Sequence, residues 1–159
     1  MKNVKQDTGS SDRAGSSAQI VEDRKTEEGG TTKVYEVNAN FAGPIQCALM
    51  FLTNLTILES GQKHLLGEGK TKGAILENLF GMFNYFKTNP TFDFVSNILA
   101  NMSALQLGRK FLIENGALIG QIADLALDKA NTNEHRRKQL LACLRNACFE
   151  YEDYEADFV

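Results

Sequence analysis

The chain has no tryptophan, only two prolines, two histidines and three cysteines, and no long apolar run. A membrane helix needs about 20 consecutive apolar residues, and no segment approaches that. The N-terminus also lacks the apolar stretch of a secretory signal, so the expected location is the cytosol, with the nucleus left open. Cys47, Cys143 and Cys148 fall within apolar helical patterns. Cys143 and Cys148 are five apart, on different sides of a helix, which is no metal-ligand spacing. All three are expected to be small buried hydrophobes in a reducing compartment. No motif places a nucleophile beside His64 or His135, so nothing supports catalysis. Seventeen basic against twenty acidic residues give a net charge of −3, without the basic excess that nucleic-acid binding requires. No cofactor, metal or small-molecule substrate is expected.

Large apolar residues are equally scarce at the front. Residues 1–33 hold only Val4, Ile20 and Val21 as large aliphatics, among Ser, Gly, Thr and six charges of each sign. Such a segment buries too little apolar surface to offset its ordering entropy. We expect a disordered low-complexity arm over 1–33 and a folded region over 34–159. Val34–Val37 alternates for four residues only, and the strand question stays open there.

The folded region repeats itself. Leu52-Thr53-Asn54-Leu55-Thr56, Leu99-Ala100-Asn101-Met102-Ser103 and Leu144-Arg145-Asn146-Ala147-Cys148 recur at intervals of 47 and 45 residues. Gly61 and Gly108 each lie seven after the Asn, and Gly69 and Gly116 close the unit. A period of this size marks a helical solenoid, whose units bury their apolar faces only by stacking. Asn54-Leu55-Thr56 and Asn101-Met102-Ser103 are also glycosylation sequons, but they lie in helical patterns of a chain without a secretory signal.

Spacing predicts the helices within each unit. Gly43-Pro44 and Asn89-Pro90 are expected to open two Asn-bearing helices, with proline at the first helical position. Asn131 and Glu134 have capping-box spacing for a third. Gly61–Gly67 and Gly108–Asn115 suit short helices closed by glycine, followed by longer ones over 72–86 and 117–128. The expected fold is all-α: a short right-handed superhelical solenoid of about two whole three-helix repeats plus partial units. With fragments at both ends, it is expected to be part of a longer arrangement or a truncated product.

Gly108-Arg109-Lys110-Phe111-Leu112-Ile113-Glu114-Asn115-Gly116-Ala117-Leu118 resembles an armadillo repeat, in which a short helix meets the second helix at a Gly-Ala-Leu joint. Arg136-Arg137 followed by Leu144-Arg145-Asn146-Ala147-Cys148-Phe149-Glu150 resembles the signature of the eukaryotic Hgh family. Leu49–Thr56 and Leu99–Ser103 are similar to that family's middle repeats. The resemblance spans roughly 41–159. It implies an armadillo-like fold and a cytosolic chaperone adaptor for elongation factor 2, acting with the ring chaperonin. The family usually has two adjacent cysteines where this chain has Ala147-Cys148.

The candidate sites follow. In peptide-binding armadillo proteins, an Asn on each third helix faces the groove and bonds an extended peptide backbone. Asn54, Asn101 and Asn146, with Arg145 beside the last, are the groove candidates; the competing role is a local bond that fixes the stacking angle. His135, Arg136, Arg137 and Lys138 form a basic cluster at a helix start, with Arg136, Arg137 and Lys138 the docking candidates for an acidic partner, or simply a solvated face. The acidic, Tyr-containing stretch Glu150–Asp157 has the same two readings with the sign reversed. Gly67-Glu68-Gly69-Lys70-Thr71 imitates a phosphate loop, but the required earlier glycine is His64 and a helix precedes it. The expected function is a non-enzymatic protein-binding adaptor, a folding chaperone for elongation factor 2. The alternative is a scaffold or import-type protein binding a linear peptide, although such grooves commonly use tryptophans that this chain lacks.

Overall fold

The structure, a computed structural model, describes residues 18–25, 31–130 and 132–149. Strands β1 (Ala18–Lys25) and β2 (Thr31–Val37) pair antiparallel, with Ala18 opposite Val37 and Lys25 opposite Thr31. The short alternation at Val34–Val37 therefore lies in a strand, in keeping with the β-branched residues on both sides of the pairing. The partner strand comes from the low-complexity arm, whose segments 1–17 and 26–30 lie outside the described residues.

From Ala39 onward the described chain is helical. Helix α1 (Ala39–Leu55) starts earlier than expected, because Asn38 caps it: its Oδ1 accepts the Asn40 N–H at 3.0 Å. Pro44 lies inside α1 rather than opening it. Its missing N–H leaves the carbonyl four residues back, on exposed Asn40, to water. The equivalent Pro90 does begin its element, a 3-10 turn (Pro90–Phe92) capped by Asn89 that leads into α4 (Asp93–Ala104).

Short helix α2 (Glu59–Leu66) ends at Gly67, whose φ of 69° needs a residue without a side chain. Helix α3 (Ala74–Tyr85) follows a 3-10 turn at Gly69–Thr71. In the next unit α5 (Gln106–Glu114) and α6 (Gly116–Leu127) share Asn115 as their joint. Gly116 thus opens α6 instead of closing α5, and Asn115 Oδ1 accepts the Leu118 N–H at 3.3 Å. Helix α7 (Glu134–Ala147) is capped by Asn133, which accepts from the Arg136 N–H at 2.8 Å. The expected cap, Asn131, lies outside the described residues.

Helix α4 is central. It packs against α1 on one side and α7 on the other, while α7 also packs on α6. Seven of its twelve residues are buried, as a helix flanked on both sides requires. One apolar core runs from Leu49 in α1 through Leu66, Phe83, Ile98, Met102, Leu112 and Ile122 to Leu140 and Cys143 in α7. No described helix is long and apolar enough to cross a membrane.

Candidate functional site

The three repeated Asn residues sit at one register on α1, α4 and α7, the helices that lie side by side. Asn101 directs its side-chain amide at α1, donating to the Thr53 carbonyl at 3.0 Å and to Thr56 Oγ1 at 3.2 Å. Asn146 makes the hydroxyl bond of this pair one unit on, donating to Ser103 Oγ at 3.1 Å. Thr56 and Ser103 occupy the same place, two residues after the Asn of their own helix. Each hydroxyl is in turn anchored: Thr56 donates to the Thr53 carbonyl at 2.8 Å and Ser103 to the Ala100 carbonyl at 2.8 Å. The Asn-x-Thr and Asn-x-Ser pairs are therefore two steps of an inter-helix ladder. Asn101 and Asn146 spend amide protons on stacking, the local role weighed against groove binding. Asn54, with no described helix before α1, is exposed.

The repeated glycines serve the same joint. A Cβ on Gly61 would lie 2.0 Å from the Leu55 carbonyl oxygen, and one on Gly108 would lie 1.8 Å from that of Met102. Leu55 and Met102 are equivalent positions. The short helix of each unit is thus pressed onto the C-terminal end of the Asn-bearing helix, where only glycine fits. The next residue caps that end. Gln62 donates to the Thr56 carbonyl at 2.7 Å and to the Asn101 carbonyl at 2.9 Å, and Arg109 donates to the Ala104 carbonyl at 2.8 Å. Such bonds satisfy carbonyls that a helix end leaves orphaned.

The basic cluster separates into three different situations. Arg136 is 1% exposed. Its guanidinium pairs with Asp93 at 2.5 Å, donates to the Lys87 and Asn89 carbonyls, and lies 4.6 Å from the centroid of the Phe83 ring. Asn133 adds its amide to the Asp93 carboxylate at 3.2 and 3.3 Å. The expectation of Arg136 as a docking charge is therefore corrected: it pins the start of α7 to the α3–α4 turn. Arg137 is half-buried and donates to the Ala126 carbonyl at 3.2 Å, tying α7 to α6. Lys138 is exposed and pairs with Glu134 one turn earlier at 2.8 Å. That contact holds the Glu134 carboxyl below the usual range, chiefly through the hydrogen bond from Lys138. Arg145 is exposed on α7.

A family model described as a domain of unknown function, DUF383, matches residues 37–157. The chain belongs to the DUF383 family. No curated protein and no solved structure matches it.

The DUF383 match takes in all seven described helices. Its cysteines differ from expectation: Cys143 is buried, but Cys47 and Cys148 are exposed. Burial pushes the Cys143 thiol up to about 11, and the polar Ser103 hydroxyl beside it pulls the other way. The Gly67–Thr71 segment follows helix α2 and forms a 3-10 turn, which is not the strand-to-helix geometry of a phosphate loop. Among the described residues no three His, Cys, Asp or Glu side chains gather at metal-binding distance.

Two features of the DUF383 domain escaped sequence reading. Asp93 is the hub that Arg136 and Asn133 share. His135 Nε2 lies 2.8 Å from Asn97 Oδ1, linking α7 to α4 on their outward face. The ladder hydroxyls did carry a signal, since Thr56 and Ser103 follow their Asn at the same offset, though that offset also spells a sequon. Positions 50, 97 and 142 hold one register on α1, α4 and α7, and positions 57, 104 and 149 hold the next, at or just past the C-terminal ends of those helices. Met50, Ile57 and Phe149 are exposed there, Phe149 by 72%.

Proposed function

We propose that the protein is a non-enzymatic adaptor and that α1, α4 and α7 are successive third helices of a short armadillo-like, right-handed superhelical solenoid. One observation carries this reading: the bond from the Asn amide to the hydroxyl two residues after the preceding Asn recurs from α1 to α4 and from α4 to α7. Such a scaffold is rigid, and it presents one continuous outward face across three helices. Met50, Ile57 and Phe149 give that face exposed apolar contact area. Asn97 and His135 add a polar centre. This composition suits the folded surface or exposed apolar segment of another protein. The spent amides of Asn101 and Asn146 weigh against a linear-peptide clamp.

The Hgh resemblance names the client. We take it to be elongation factor 2 during folding, with the ring chaperonin as co-partner and the cytosol as the place. The adaptor would hold apolar client surface that otherwise aggregates. The test is a binding titration of purified chain with partly folded elongation factor 2, beside the Met50→Asp/Phe149→Asp variant. Saturable binding by the natural chain, lost in the variant while its helicity is unchanged, is expected. No binding, or binding indifferent to these substitutions, overturns the reading.

A further inference from the structure

Among the described residues the ladder has two uncovered sides, one on α1 and one on α7, and they match each other. On α4 the side turned toward α1 carries Val95, Ile98 and Asn101; on α7 the side turned toward α4 carries Leu140, Cys143 and Asn146. The four apolar residues among these are at most 1% exposed. The same three positions on α1 are Ala48, Phe51 and Asn54, all exposed, Phe51 by 66%. On the opposite side, α1 offers Leu49, Thr53 and Thr56 to α4, and α4 offers Ser96, Ala100 and Ser103 to α7; Leu49, Thr56 and all three α4 residues are buried. The equivalents on α7 are Leu141, Arg145 and Cys148, all exposed, Leu141 by 44%. Helix α1 thus carries the receiving half of an interface used twice internally, and α7 carries the offering half.

We propose that a second copy of this chain stacks head-to-tail on the first, its α7 seated on the exposed α1 face. Asn54 then donates to Cys148 of the second copy, as Asn101 donates to Thr56 and Asn146 to Ser103. Phe51 enters the place that Ile98 and Cys143 fill in the inner steps. The contact is heterologous, so it leaves one free end of each kind and can extend into short oligomers. Two residues set its strength. Arg145 stands where the inner steps have Thr53 and Ala100, and its long side chain must bend aside. Cys148 offers a thiol, a weaker acceptor than the hydroxyls of Thr56 and Ser103. The natural contact is therefore weaker than either inner step, and reversible.

The test uses the full chain in sedimentation velocity, from low micromolar to several hundred micromolar. The natural chain should show a reversible rise in mean mass. Arg145→Ala and Cys148→Ser should each tighten association, the latter roughly fivefold. Phe51→Asp and Leu141→Asp change exposed residues, and circular dichroism should show both folded. Each alone should be monomeric, and a mixture of the two should form a dimer and nothing larger, because one intact end of each kind remains. A natural chain that stays monomeric together with an Arg145→Ala/Cys148→Ser variant that also does overturns the proposal. Self-association of the Leu141→Asp chain, without complementation, overturns it in favour of α1 packing on α1.

Discussion

Arg136→Met is the most informative single perturbation. It keeps the apolar stem and removes the guanidinium, so the change falls on four contacts: the Asp93 ion pair, the Lys87 and Asn89 carbonyls and the Phe83 ring. Breaking a buried ion pair by removing one partner costs about 3–5 kcal/mol, mostly because the other charge is stranded. Here the stranding is incomplete. The Asp93 side chain is 24% exposed and keeps the Asn133 amide, and the two turn residues are half-buried. The expected loss is therefore at the lower end, about 3 kcal/mol, a large share of the roughly 5–15 kcal/mol that holds a domain folded. Arg136→Lys keeps the charge but not the planar fork, which alone reaches a carboxylate and two carbonyls together. It should fall between. Lys138→Met, two residues on, breaks an exposed pair and should stay within about 0.5 kcal/mol of the natural chain. Urea unfolding followed by helical circular dichroism measures all three, with the slope against urea checked for constancy. If Arg136→Met costs less than about 1 kcal/mol at unchanged slope, the side chain is not the pin described, and the docking role regains its place.

Three further outcomes are expected. Gly108→Ala forces a Cβ to 1.8 Å from the Met102 carbonyl oxygen and should destabilise by about 1–3 kcal/mol; Gly120→Ala meets nothing within 4 Å and should stabilise α6 by up to about 1 kcal/mol in the same unfolding assay. Ser103→Ala strands the Asn146 amide and should cost about 1–2 kcal/mol, whereas Thr56→Ala should cost less, because Asn101 keeps the Thr53 carbonyl; equal losses would refute the ladder as drawn. Cys143 ionises near 11 when folded against an ordinary 9.0, so the folded state holds its proton longer. Its stabilising contribution is complete below pH 9, declines as pH rises through 11, and totals about 2–3 kcal/mol. The difference in stability between the natural chain and Cys143→Ala, followed from pH 8 to 11, should shrink by that amount.

Periodicity made the helical class and the joints legible, because the stacking rule is written into short repeated patterns. Gly61 and Gly108 recur because a carbonyl oxygen occupies the place a Cβ would take, and Thr56 and Ser103 recur because the next Asn needs an acceptor. What a local pattern does not hold is the identity of the neighbour. Arg136 opens a helix as a solvated charge would, yet its partners Lys87, Asn89, Phe83 and Asp93 lie 43–53 residues earlier, and only the close packing of α4 and α7 brings them within reach. The same holds for Pro44 and Pro90, alike in sequence but different in role because Asn38 offers an earlier cap to one helix.

Burial is the sharper case. Phe51, Ile98 and Cys143 hold one register position on three helices, yet the first is 66% exposed and the others are fully buried. Thr56, Ser103 and Cys148 repeat the contrast at the opposite face, with the last of the three exposed. Period and pattern fix which side of a helix is an interface; whether that side is covered depends on a helix the pattern does not contain. The expectation that all three cysteines are buried failed at Cys148 for this reason, since it sits on an interface side that no described helix covers. A side chain shaped for contact and left in water is a measurable liability in solution. It should bind something, and the internal ladder specifies what fits: a helix offering a small side chain and, three residues on, a hydrogen-bond acceptor for Asn54.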